Sequence, residues 1–309
     1  MMHDERLLTR VAYQYYIQNQ TQSQIAKNLN IGRSTISRLL TQARQRHIVS
    51  ISINTNDADL LDLEAQLKRR YHLRNVDLIN SDHADLDLAL AQEAAQYLKQ
   101  IIKPNNLVGI SWGSSLALMV GQLDHPKAAN ATFVPLVGGP SAANAKYHVN
   151  TIVYDLARKF MGNSVFINAT AVQESSYLRD GIMNAKYFQE LARDWAHLDI
   201  ALVGVGGPLT RRTTSRWRDL LTPDDRDMLK DQHAIGDCCC TFYDVNGKLL
   251  APNLQKRTIA IPLETLKQTP IRIAVARSTE KVPSIKALLQ IGVVNTLITD
   301  ADTASQLLN

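Results

Sequence analysis

The sequence has only three cysteines, and they are consecutive: Cys238, Cys239 and Cys240. Adjacent thiols make no disulfide framework, which excludes a stapled secreted scaffold and suggests the reducing cytoplasm. They aim poorly at one tetrahedral metal, and in a strand they would alternate faces, so they read as small apolar packing residues. The eight histidines show no ligand spacing, and no metal or other cofactor is expected. No apolar run approaches the roughly 18–20 residues needed to cross a bilayer. The opening Met-Met-His-Asp-Glu-Arg lacks the basic leader and apolar stretch of a secretory signal, so membrane insertion and export are not expected. There is no G-x-x-x-x-G-K-[ST] phosphate loop, no internal repeat and no low-complexity tract. Gly204-Val-Gly-Gly-Pro-Leu209 is a poor dinucleotide fingerprint, since the third glycine is missing and proline interrupts the turn.

Acid is missing locally. Residues 6–50 contain no Asp or Glu. Of 34 basic and 29 acidic residues, seven and two lie in residues 1–50, leaving 27 of each for the rest. The whole net charge of +5 therefore sits in the first fifty positions. A positive head on a neutral body suits a polyanion-binding module, because phosphate contacts supply most sequence-independent affinity. The full 309 residues, 45% hydrophobic and 20% charged, suit a globular protein of one large domain plus a smaller one.

Three helices are predicted in the head: Arg6 to Gln18, a short one through Leu29 capped by Thr21, and a third from Arg33 to Arg46. A helix-turn-helix needs a few inward apolar residues at set offsets and a turn residue tolerant of positive φ. Ile25, Leu29, Ile31, Ile36 and Leu39 supply the inward set, Ala26 is small where the helices approach, and Asn30 occupies the turn. Arg33, Ser34, Thr35, Ser37, Arg38 and Thr41 then face outward, with hydrogen-bonding groups able to reach base edges and phosphates from the major groove of double-stranded DNA. Thr21 and Gln22, at the start of the preceding helix, join them as candidate DNA contacts. Tyr13, Tyr15 and Tyr16 belong to the core or touch the DNA backbone. His47–Ile53 alternates as a short strand, a wing or the start of a linker, and Asn54–Asp59 is polar and aperiodic, which sets a boundary between domains 1–53 and 54–309. Leu60–Tyr71 is predicted as an amphipathic helix, packed on the next domain or pairing subunits.

Beyond it, apolar runs at 76–79, 107–112, 132–137, 164–167, 200–205, 259–263, 271–276 and 293–298 alternate with helical stretches at 85–102, 114–123, 149–161, 182–197 and 284–290. This alternation predicts an α/β domain with a largely parallel sheet, of Rossmann-like type. Several runs end in glycine: Trp112-Gly-Ser-Ser115, Val137-Gly-Gly139 and Val205-Gly-Gly207, with Gly236-Asp237 before the cysteines. Ligands of open α/β sheets bind beyond the carboxyl ends of the strands, where glycine lets backbone amides approach an anion. Gly113-Ser114-Ser115, opening a helix, is a candidate phosphate cradle.

Six segments occur in a telling order: T-Q-S-Q-I-A-K-N-L-N-I-G-R-S-T-I-S-R-L-L (21–40), G-I-S-W-G-S-S (109–115), P-L-V-G-G (135–139), D-I-A-L-V-G-V-G (199–206), A-I-G-D (234–237) and V-N-T-L-I-T-D-A-D-T-A (294–304). Over nearly the whole chain the sequence resembles the SorC family of bacterial sugar-responsive transcriptional regulators. The resemblance implies an N-terminal DNA-binding domain, an effector domain similar in fold to sugar-phosphate isomerases, a homotetramer, and a phosphorylated sugar as effector. By position it implies that Gly113, Ser114, Ser115, the loop after Gly138 and Gly139, Asp237 and Lys281 hold that effector. Asp237 would accept from sugar hydroxyls and Lys281 would pair with phosphate. The family often has Gly-Gly shortly before the lysine, where this chain has Ala276-Arg-Ser-Thr-Glu-Lys281; Arg277 either adds a phosphate contact or narrows the pocket. Lys146, near the pocket, makes an ordinary polar contact in preference to a Schiff base with an open-chain aldose. The competing reading is a sugar-phosphate isomerase or deaminase with a DNA-binding appendage, using Asp237 with Lys146 or Lys281. Binding without turnover is favoured, since a helix-turn-helix joined to a ligand pocket already makes a complete switch.

Overall fold

The computed structural model describes residues 2–50, 57–124, 126–140, 147–209 and 220–309. The chain separates into two compact units, Met1–Ala58 and Asp59–Asn309.

Among the described residues the first unit holds three complete helices, α1 (Met2–Tyr16), α2 (Gln22–Leu29) and α3 (Arg33–Gln45). Their boundaries follow from short-range chemistry. The Thr21 hydroxyl accepts the Gln24 N–H at 3.3 Å, while Gln24 Oε1 accepts the Thr21 N–H at 2.8 Å, a reciprocal box that satisfies two otherwise unpaired donors. Asn30 ends α2 in the left-handed conformation at φ 55° and ψ 44°, and Ile31 N–H closes the turn on Ala26 O at 3.1 Å. Ile25, Ile36 and Leu39 are buried with Leu8, Val11, Ala12, Leu40 and Ala43; Ala26, Leu29, Ile31, Tyr15 and Tyr16 pack around them half-buried. The expected strand after α3 does not form over 47–50. Instead Ile48 N–H returns to Ala43 O at 2.9 Å, which tucks Ile48 and Val49 against the small core. The rest of that expected strand, 51–53, lies outside the described residues.

The division falls in the first turn of α4 (Asp57–Tyr71), and the second unit continues β1 (Asn75–Ile79), α5 (Leu86–Ile101), β2 (Leu107–Ile110), α6 (Ser114–Gly121), β3 (Thr132–Pro135), α7 (Val149–Lys159), β4 (Asn163–Ser164), α8 (Ser176–Met183), α9 (Lys186–Ala196) and β5 (Ile200–Val203). It closes with α10 (Pro223–Asp231), β6 (Gly236–Cys238), β7 (Thr241–Tyr243), α11 (Pro252–Gln255), α12 (Leu263–Leu266), β8 (Ile271–Val275), α13 (Val282–Gln290), β9 (Thr296–Asp300) and α14 (Ala301–Leu308). Seven strands form one parallel sheet in the order β1-β9-β8-β5-β2-β3-β4. From β2 the chain moves outward through β3 and β4, then returns to the other side of β2 at β5 and proceeds outward through β8 and β9. The order therefore reverses between β2 and β5, and such a switch point opens a crevice at the carboxyl ends of the two strands. All four residues of β5 are buried, as a strand covered on both faces requires. Helix α4 buries Leu60 and Leu67 and docks on the end of α14, with Tyr71 Oη donating to Leu307 O at 2.6 Å and the Arg70 guanidinium donating to Leu308 O.

Four local expectations are corrected. The run at 259–263 is extended but is no strand of the sheet: it bridges Val137 through Ala260 and Val172 through Thr258, and Pro262, lacking an N–H, hands over to α12. The edge strand expected over 164–167 shortens to Asn163–Ser164. The helix expected over 182–197 is two, α8 and α9, divided at Asn184 and Ala185. The cysteines do not share a strand. Cys238 ends β6, while Cys239 (φ 49°) and Cys240 (φ 58°) form the two-residue turn to β7, the left-handed pair that matches strand twist in a hairpin. All three are buried. A hydrogen bond with Cys239, together with burial, pushes the Cys238 thiol well above its ordinary range, so it packs as a protonated group.

A buried ion pair ties distant segments of this unit. Arg257 Nη2 reaches both carboxylate oxygens of Asp225 at 2.6 and 2.7 Å, and its Nη1 donates to Gln173 O at 3.0 Å. Burial alone would raise the Asp225 carboxyl, but hydrogen bonds from Arg257 and Thr222 outweigh it and hold it below the usual range.

Candidate functional site

On α3 the side chains of Arg33, Ser34, Ser37, Arg38 and Thr41 are exposed, and Thr35 is half-buried. Ser34, Ser37, Arg38 and Thr41 fall at i, i+3, i+4 and i+7, so they form one polar stripe. The Thr41 hydroxyl donates to Ser37 O at 3.1 Å, which leaves its lone pairs facing out. Thr21 is committed to its capping box, with its hydroxyl also 3.0 Å from Gln24 Oε1; its contribution is to fix the first turn of α2. A cleft of about 540 Å³ joins that turn to the start of α3, lined by Tyr15, Tyr16, Gln20, Thr21, Gln22 and Arg33 among others. Tyr15 and Tyr16 meet edge to face at 5.0 Å, and Tyr13 is exposed.

In the second unit the carboxyl ends of β3, β2, β5 and β8 lie side by side. Asp237 is buried at 6% exposure, and a Cβ at Gly206 would collide with its Oδ1; the carboxylate rests on the Gly206 backbone. Gly206 N–H donates to Asp237 O at 2.8 Å. A Cβ at Gly207 would come within 3.3 Å of Lys281 Cγ, and one at Gly204 within 3.8 Å of the Trp112 carbonyl oxygen. The loop after β5 thus gathers Asp237 and Lys281 at two successive glycines and borders the end of β2. There Gly113, at φ 146° with open space where a Cβ would point, starts α6 without a side-chain cap. The first-turn amides of Ser114 and Ser115 have no acceptor within the helix.

Gly138 and Gly139 do something different from the expected amide donation. Their N–H groups are spent on Ile259 O and Ala169 O, each at 2.8 Å, and Gly138 O accepts Trp112 Nε1 at 2.8 Å. A Cβ at Gly138 would strike Thr170 O, and one at Gly139 the imidazole of His148. These glycines permit close packing at the crevice wall. Lys146 lies outside the described residues.

Arg277 is held by two carboxylates. Its Nε donates to Asp87 Oδ1 at 2.8 Å, and its Nη1 stands 3.8 Å from Asp300 Oδ2. The next residue, Ser278, takes φ 106° and ψ 138°, a conformation that glycine adopts readily and that costs other residues about 1–3 kcal/mol. Its N–H is held by Thr303 Oγ1 at 3.0 Å.

Three contributors escaped the sequence reading. Ser284 Oγ donates to Gly206 O at 2.7 Å and accepts from Tyr243 Oη at 2.7 Å, a buried chain that holds the glycine loop in place. Burial pushes the Tyr243 phenol well above its ordinary range, so it stays a donor. The third is His148, at the start of α7. Its only signal was proximity to Lys146; Ser284 and Tyr243 had none, since their partner is a backbone carbonyl far away in sequence.

Among the described residues, no group of His, Cys, Asp and Glu could hold a metal ion, and no helix is long and apolar enough to cross a membrane. The sugar-binding domain family model matches residues 56–309, and the model for sigma-70 region 4 matches residues 9–46, which include α2 and α3. The chain is 34% identical over 310 residues to the sorbitol operon regulator of Klebsiella pneumoniae, covering 99% of this chain and 98% of the relative. The solved full-length structure of that regulator gives a TM-score of 0.78 over 99% of both chains. A transcriptional regulator from Streptococcus pneumoniae TIGR4 also gives 0.78, at 41% identity, over 82% of this chain and 98% of that one. The deoxyribonucleoside regulator of Bacillus subtilis (strain 168) is 27% identical over 308 residues, 99% of this chain and 98% of its own length. With a helix-turn-helix ahead of a parallel α/β domain, and with regulators as relatives along its full length, the chain belongs to the SorC family of sugar-binding transcriptional regulators and is a DNA-binding regulator of carbohydrate metabolism, not an enzyme.

Proposed function

We propose that residues 1–53 read duplex operator DNA through α3, and that residues 54–309 bind a phosphorylated sugar at the sheet's switch point and join subunits into a homotetramer, in the cytoplasm. The observation that carries this reading is the gathering of Asp237 and Lys281 at Gly206 and Gly207, beside Gly113. A carboxylate and an ammonium at one strand end suit a ligand with hydroxyls at one side and an anion at the other. In this assignment Lys281 pairs with phosphate, and the first turn of α6, with Gly113, Ser114 and Ser115, adds amide donors. Asp237 accepts from sugar hydroxyls, Gly138 and Gly139 shape the wall, and Lys146 makes an ordinary polar contact.

On the DNA side Arg33, Ser34, Ser37, Arg38 and Thr41 meet bases and phosphates, with Thr35 at the edge of that set and Thr21 and Gln22 fixing and flanking the approach of α2. Paired helical units read half-sites roughly one helical turn, about 34–36 Å, or a multiple apart. Two of the relatives are a sorbitol operon regulator and a deoxyribonucleoside regulator, which supports an effector of the sugar or polyol class. Effector binding shifts operator affinity by a coupling of about 1–3 kcal/mol.

Gel-shift titration of the full chain on the DNA upstream of its own gene, at low ionic strength, tests the first half; a thermal-shift screen with phosphorylated sugars and polyols tests the second. Retarded DNA and at least one stabilising compound are expected. A chain that ignores duplex DNA, with and without those compounds, overturns the proposal.

A further inference from the structure

The wall of the crevice at β3 carries a side chain with one end committed and the other without a hydrogen-bond partner among the described residues. His148 precedes α7, and its Nδ1 accepts the Asn150 N–H at 3.2 Å. A ring nitrogen that accepts carries no proton, so the proton of the neutral ring sits on Nε2. Burial lowers the pKa of His148 from its usual value, which keeps the ring neutral at physiological pH. Among the described residues no acceptor faces Nε2. The ring lies across Gly139, where any Cβ would collide with that nitrogen, so the glycine holds the space the imidazole occupies. Gly138 next to it is bonded to the Trp112 indole, which leads directly to Gly113. His148 therefore stands at the carboxyl end of β3, adjacent to β2. Lys281 stands at the end of β5, two strand spacings or about 10 Å from β3.

We propose that His148 is a specificity residue of the effector site, whose Nε2–H donates to an uncharged oxygen, a hydroxyl or carbonyl, at the end of the sugar away from its phosphate. The phosphate is taken on the lysine side, by the ammonium and the amides that open α6, which leaves the uncharged oxygens at the other end of the ligand for the imidazole. One ligand spanning the crevice would meet an ammonium at one end and an imidazole N–H at the other. The inference rests on the effector reading given above.

The test uses the full chain and His148→Ser and His148→Ala variants. Serine retains an oxygen able to accept the Asn150 N–H at the helix start, so it separates loss of the cap from loss of the Nε2 donor. The probes are inorganic phosphate and whichever phosphorylated sugar or polyol most stabilises the unmodified chain, with affinities measured by calorimetry. Both variants are expected to bind inorganic phosphate within about twofold of the unmodified chain, and the sugar phosphate about tenfold more weakly, as for one lost hydrogen bond. Lys281→Ala is expected to weaken both probes. Unchanged sugar-phosphate affinity in His148→Ser overturns this inference alone, as does an equal loss for both probes. If no phosphorylated compound binds the unmodified chain, the effector reading falls and takes this inference with it.

Discussion

The two units store their chemistry in opposite places. The helical unit, among its described residues, buries eight apolar side chains in a small core and puts polar groups on an exposed stripe of one helix. The α/β unit places Asp237, Ser284 and Tyr243 inside, the first two against the Gly206 backbone after β5 and the third bonded to Ser284. In the first, the working surface is set by spacing along a dozen residues. In the second, it exists only once the sheet has closed. An exposed surface loses affinity gradually when one of its members is removed, whereas a buried site loses its geometry.

The largest expected effect breaks the second unit alone. Arg257→Leu leaves the Asp225 carboxylate buried without its partner, and removing one member of such a pair costs about 3–5 kcal/mol. Chemical denaturation should show the loss. It should shrink in acid, because a carboxyl held below its unfolded value stabilises at neutral pH and loses that contribution as pH falls through its folded value. Next, Lys281→Ala should weaken sugar-phosphate binding by about 1.5–3 kcal/mol, the worth of a hydrogen bond to a charged group, with operator binding in the absence of effector unchanged in gel shifts. The mirror experiment is Arg38→Ala, expected to cost about 1–3 kcal/mol of specific DNA binding while calorimetry shows normal effector affinity. If either variant damaged both activities equally, the division of labour between the units would be wrong.

Two smaller effects sharpen the contrast. Thr21→Ala removes the α2 cap and should destabilise the helical unit by about 1 kcal/mol, read as earlier loss of its helical signal on heating. In the α/β unit Glu93 is half-buried, and desolvation, with Asp77 nearby, raises its pKa. A carboxyl raised in the folded state contributes fully below its unfolded value near about 4.3, and that contribution is lost as pH rises through the folded value. Glu93→Gln should therefore be slightly more stable than the parent at pH 7–8, with the difference vanishing near pH 4.

Legibility followed the same division. In the helical unit Thr21, Asn30 and the apolar offsets each act within a few residues, so helices, turn and outward stripe were all readable. Only the first part of the strand expected after α3, over 47–50, misled, because alternation over so short a piece also suits a tail folded back on Ala43. In the α/β unit the alternation of strands and helices was readable, as were the glycine ends. What could not be read was partnership. Gly138 looks like an amide donor until Ile259 is found on it, and nothing near Arg277 in the sequence announces its partners, since Asp87 and Asp300 arrive from other elements. Two cysteines in a left-handed turn run against the usual preference for Gly or Asn there, so a strand was the natural expectation.

Helix α14 is eight residues long, a rod of about 12 Å. Its head grips the segment that bears Lys281, through Asp300 on Arg277 and Thr303 on the Ser278 amide. Its tail offers the carbonyls that receive Tyr71 and Arg70, at the end of the first helix after the basic head. The strut has no glycine or proline along it to act as a soft joint. The lysine segment and the end of α4 are therefore tied to opposite ends of one short helix.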